Sequence, residues 1–173
     1  KPGIREYQVQ ANLEFNYKNN GSQDVAYYPI VAGGDNACIL HYDRNDQVLK
    51  DGELLLIDSG AEYDYYCCDI TRTFPINGKF SKEQKVIYEI VLKANKECIK
   101  KIKPGARYSA IRDLSEKILA DGLYKARILK NNPELVKGWR PGGLSFQAWC
   151  ATAFHSIPGE YSSSLCVLCQ FAP

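Results

Sequence analysis

The chain has 173 residues, 45% hydrophobic and 24% charged, with a formal net charge of +2. That is the composition of an ordinary globular domain, and the interspersed charge argues against a dedicated nucleic-acid face, which needs concentrated basic residues. No stretch approaches the about 18 apolar residues of a membrane span, and the first residues lack a signal peptide's apolar core.

Tyr7, Ala11 and Phe15 form one i, i+4 row, and Val9, Leu13 and Tyr17 form another, so a helix is expected over 4–19. Asn19-Asn20-Gly21-Ser22 stops it. Val25 to Val31 reads as a strand that Pro29 confines to an edge or interrupts. Ala32 to Asn36 reads as a flexible turn, and Cys38-Ile39-Leu40-His41-Tyr42 as a second short strand. A polar loop over 43–51 follows. Glu53 to Asp58 is a continuous apolar run closed by an acid, a buried strand. Residues 62–74 return as its partner, Pro75 ends that partner, and Asn77-Gly78 is a turn signal.

Ser81-x-x-Gln84 is a capping box. The helix behind it is expected to bury Val86, Ile87, Ile90, Val91, Ala94, Cys98 and Ile102, and to end at Pro104-Gly105. A third helix is expected over 109–121, with Ile111, Leu114 and Ile118 inward and Gly122 as its stop. From Ser145 the character changes: of 42 charged residues only Glu160 lies in the last 29. The expected organisation is therefore a domain over 1–144 and a divergent tail over 145–173. An altered reading frame or a mis-predicted exon would account for the tail, and sequencing the transcript tests that. The absence of Met suggests an excised piece of a longer chain. Seven cysteines, odd in number and irregularly spaced, fit a reducing cytoplasmic setting better than a disulfide framework.

The chemistry concentrates in Leu54-Leu55-Leu56-Ile57-Asp58-Ser59-Gly60 and Cys68-Asp69-Ile70-Thr71-Arg72-Thr73-Phe74-Pro75. A tight hairpin with its tip near Tyr63-Asp64 would set Asp58 directly opposite Asp69, Cβ atoms roughly 4.5–5.5 Å apart. A bulge would shift that register. Two carboxylates so placed repel, and a divalent cation removes the conflict, with hard oxygen ligands suiting Mn²⁺, Mg²⁺ or Ca²⁺. The same spacing also fits a hairpin whose acids face solvent or pair with Arg72. Cys67 and Cys68, consecutive on a strand, point to opposite faces and read as packing residues. Cys166-x-x-Cys169 lacks the second pair a zinc site requires.

Three blocks carry a resemblance: Ile30 to Tyr42, Asp51 to Gly60, and Asp69 to Phe80. Together they resemble the Xaa-Pro aminopeptidase (aminopeptidase P) branch of the pita-bread metallopeptidases, over about residues 5–130. The resemblance implies an α/β (α+β) pita-bread fold, here incomplete, with a curved antiparallel sheet covered by helices. It implies two Mn²⁺-type ions, one bound by Asp58 and both bridged by Asp69, with His41 beside them to position substrate or stabilise the reacting carbonyl. The implied reaction is hydrolysis of the bond before a proline at the second position of a peptide. The family's later ligands, a His and two Glu, find no match: Gly142 and Phe146 stand where histidines are expected, and His155 and Glu160 do not replace them. The chain as written is therefore expected to have little activity. A non-catalytic peptide-binding module and a prolidase-type dipeptidase are the alternatives. An incomplete fold also leaves apolar surface that a homo-oligomer would cover.

Overall fold

The computed structural model describes residues 1–129. The expectations that fall on Gly142, Phe146, His155, Glu160, Cys166 and Cys169 lie outside the described residues. Two compact units divide between Ser81 and Lys82.

The first unit opens with α1 (Glu6–Asn19). Its start is fixed by Gln8, whose Oε1 accepts from the Arg5 N–H at 2.8 Å. Only the Val9/Leu13 row packs inward, onto the cluster of Val31, Leu49, Leu55 and Ile76. Tyr7 and Phe15 of the other row are exposed. Pro29 splits the next strand as anticipated: β1 (Asp24–Val25) and β2 (Ile30–Gly33) belong to different sheets, each at an edge. The turn and strand expected over 32–42 are corrected. β2 runs on to Gly33, a 3-10 helix spans Gly34–Cys38, and residues 39–42 form a turn rather than a strand. The physical reason is a long-range one: Tyr42 turns inward, 3% exposed, and its hydroxyl donates to the Glu6 carboxylate at 2.8 Å.

β3 (Leu54–Ser59), β4 (Ala61–Tyr63), β5 (Tyr66–Cys67) and β6 (Ile70–Pro75) complete the two sheets. One has the order β2-β3-β6 and the other β1-β4-β5, with all pairs antiparallel. The apolar run of β3 forms the central strand of its sheet, which is why it needs no polar alternation. Alternate residues serve opposite faces. Val31 and Leu55 join the α1-facing cluster, while Ile30, Ala32 and Leu56 pack with Ala37 and Tyr42 on the other face. Between β3 and β4 sits Gly60. A Cβ there would lie 1.7 Å from the backbone oxygen of Cys68, so only glycine admits the Cys68 backbone at that approach.

The second unit is a helical hairpin, α2 (Lys82–Lys101) and α3 (Tyr108–Lys125). α2 begins one residue after Ser81, and it buries Gln84, Ile87, Val91 and Ala94. Val86 and Ile102, expected inside, are exposed. α3 runs on through Gly122, which is thus not a stop. A Cβ on Gly122 would meet Ile90 Cγ2 at 2.5 Å, so the glycine serves close helix packing and α3 continues to Lys125. The mixed α/β class with antiparallel sheets is as expected from the sequence. No helix among the described residues is long and apolar enough to cross a membrane.

Candidate functional site

The site forms where β3 ends. Asp58, half-buried, is the fifth residue of the strand, on the face that also carries Leu56 and Ile30. Its neighbour Ser59 faces the other way, where its Oγ hydrogen-bonds the hydroxyl of Tyr17 on α1. The expected register is corrected: Asp58 pairs with Thr71, not with Asp69. The hairpin turns at Asp64 and Tyr65, both left-handed with φ of 49° and 65°, one residue beyond the expected tip. A tip displaced by one residue moves the register by two, and an even shift keeps every side chain on its face. Asp69, exposed and just before β6, therefore shares a face with Asp58, placed diagonally rather than directly across.

What joins the two acids is a residue the sequence reading did not select. The Tyr27 hydroxyl lies 2.6 Å from Asp58 Oδ1 and 3.1 Å from Asp69 Oδ1, a single donor shared by two carboxylates. Partial burial, then the hydrogen bond to Asp58 and its charge, then those of Asp69, push this phenol well above its ordinary range. It thus stays protonated and able to donate. The signal that points to it is positional. Ile30 pairs with Asp58, so the aromatic residues just before β2 lie beyond the acid's end of β3.

The reading in which Arg72 neutralises the acids is not met: its Nη1 donates to the Thr71 carbonyl at 2.7 Å. His41 is exposed in the turn after the 3-10 helix, with φ of 51°. Among the described residues no hydrogen bond or ion pair ties it to Asp58 or Asp69, whose shared partner is Tyr27. Cys67 and Cys68 are both exposed, so they are not packing residues; Cys68 Sγ accepts from the Ala61 N–H at 3.2 Å.

Two carboxylates on one face suit a hard divalent cation in kind. In number they are part of a site, since such ions take about six oxygen or nitrogen ligands. Among the described residues no group of three or more His, Cys, Asp or Glu side chains gathers to hold a metal.

Residues 1–144 match the model of metallopeptidase family M24. The Xaa-Pro aminopeptidase of Haemophilus influenzae is 45% identical over 136 residues, covering 79% of this chain and 32% of that protein. Intermediate cleaving peptidase 55, mitochondrial, of Arabidopsis thaliana is 46% identical over 123 residues, covering 71% of this chain and 25% of its own. Among solved structures, the Pseudomonas aeruginosa aminopeptidase PepP matches with a TM-score of 0.77 at 44% identity, covering 80% of this chain and 31% of that one. The chain thus spans about a quarter to a third of the length of these relatives.

Proposed function

The chain belongs to metallopeptidase family M24, and on that footing we propose that it carries the first half of a dinuclear Xaa-Pro aminopeptidase site. The observation that carries this reading is the Tyr27 hydroxyl shared by Asp58 and Asp69, which holds two carboxylates on one sheet face. Asp58 and Asp69 would hold the metal, with Mn²⁺ the proposed ion. Bound divalent ions would polarise the substrate carbonyl and acidify water. The chain's own residues do the rest. β3 gives Asp58 a rigid, buried support. Tyr27 keeps its proton and orients one oxygen of each acid. His41, free at the surface of its turn, receives the carbonyl side of a peptide with proline second.

The aminopeptidase P of Escherichia coli has been solved as a substituted variant in complex with substrate and in a Zn-substituted form in complex with product. These support a peptide substrate and a divalent cation here. With two acids in place and no larger ligand cluster among the described residues, we expect weak metal binding and slow turnover. A cytoplasmic setting is proposed on the odd, irregularly spaced cysteines. A homo-oligomer is proposed on half-exposed Ile70 and Phe74 of the edge strand β6.

The test is calorimetric Mn²⁺ titration of the chain, alongside Mn²⁺-dependent cleavage of an Arg-Pro-Pro peptide. Binding that disappears in Asp58→Asn and falls about 10–100-fold in Tyr27→Phe is the expected result. No binding by the parent chain favours the second reading, a peptide-binding module without catalysis.

A further inference from the structure

Glu6 is a buried carboxylate surrounded by neutral donors. It is 0% exposed. Its Oε1 accepts from the Gly33 N–H at 2.8 Å and from Asn36 Nδ2 at 2.9 Å. Its Oε2 accepts from the Tyr42 hydroxyl at 2.8 Å and from the Gln47 N–H at 2.9 Å. Asn36 Nδ2 also lies 3.0 Å from the Tyr42 hydroxyl, which closes the cluster.

Burying a charge is costly, and four donors compensate for it only when all are aimed at it. A well-packed apolar residue would serve stability as well. What the carboxylate adds is geometry. Its donors come from the end of β2, from the 3-10 helix and from the loop that follows, and two of them, Asn36 and Tyr42, bracket His41. Tyr42 is drawn in to 3% exposure while His41, its chain neighbour, is turned outward in the left-handed region at φ 51°. That backbone region costs a non-glycine residue conformational energy, which the bonded neighbours on either side offset here. Burial, followed by the hydrogen bond and charge of Glu6, pushes the Tyr42 hydroxyl up, so the clamp keeps its proton.

We infer that Glu6 is a positioning residue for His41: by gripping Asn36 and Tyr42 it fixes the turn that presents the imidazole to a peptide. The inference rests on the role given to His41 under the proposed function. It is tested on the Mn²⁺-loaded 173-residue chain by titrating the tripeptide Arg-Pro-Pro calorimetrically. His41→Ala weakens peptide binding about tenfold, and Glu6→Gln, which turns one acceptor oxygen into a donor, weakens it by a similar factor. The double variant binds no more weakly than His41→Ala alone, because the two act through one contact. Mn²⁺ affinity of Glu6→Gln stays within about twofold of the parent. Tyr42→Phe, which removes a single donor, repeats the non-additivity at smaller amplitude and serves if Glu6→Gln does not fold. Losses that multiply, or a Glu6→Gln chain with parental peptide affinity, overturn the inference. A parent chain that binds Mn²⁺ but not the peptide overturns it while leaving the metal reading intact. A parent that binds no Mn²⁺ removes both.

Discussion

The two units of this protein are held together by different physics. The first unit buries polar groups at its centre. Glu6 and Asn45 are 0% and 1% exposed, and each is hydrogen-bonded to at least three other groups. The helical hairpin buries mostly apolar side chains, Ile87, Val91 and Ala94 of α2 and Leu119, Ala120 and Leu123 of α3, with Gly122 facing Ile90. Directional bonds fix where loops go, which van der Waals packing alone does not. The unit that carries the candidate site is the one with a fully bonded carboxylate and amide in its interior.

That contrast can be broken at four points. Gly60→Ala forces a side chain into the backbone of Cys68. It is expected to cost about 3 kcal/mol or more and to abolish Mn²⁺ binding, as read by chemical denaturation and calorimetry. Asn45→Ala leaves the Val31 N–H, at 3.0 Å from Asn45 Oδ1, and the Pro29 carbonyl, at 2.7 Å from its Nδ2, without partners. The expected loss is about 2–3 kcal/mol, with hydrogen exchange accelerated in residues 29–49. Gly122→Ala gains about 1 kcal/mol of helix propensity but overpacks Ile90. A net loss of about 1 kcal/mol is expected, partly recovered in Gly122→Ala/Ile90→Ala, and thermal unfolding of the paired variants reads it. The smallest effect is on pH dependence. Because the folded-state pKa of Tyr42 is raised, its contribution is fully present below the ordinary tyrosine value of about 10 and is lost as pH rises above it. Tyr42→Phe flattens that alkaline limb of the stability curve, and an unchanged limb removes Tyr42 as its source.

Features written into local pattern were legible in the sequence. The apolar run of β3, the Val9/Leu13 row of α1 and the interruption at Pro29 all appear where their spacing puts them. What was missed depends on partners distant in the chain. A strand over Cys38–Tyr42 satisfies β-propensity, but Tyr42 answers to Glu6, thirty-six residues earlier. Gly122 has the look of a helix stop until Ile90 is seen beside it. The hairpin tip was displaced because Asp64 and Tyr65 adopt left-handed backbone without a glycine to announce it. The acids nevertheless remained on one face, since parity survives an even slip. Tyr27 carries no spacing signal relative to either acid, and only the sheet register reveals it.

At the end of β3, adjacent residues have opposite commitments, Asp58 outward to Tyr27 and Ser59 back to Tyr17 of the helix. Sliding that strand by a single position would swap carboxylate for hydroxyl on one side and hydroxyl for carboxylate on the other, severing both attachments together. The strand is therefore locked in phase from its two surfaces at once. An error in placing the acid would also cost the strand its hydrogen bond to α1.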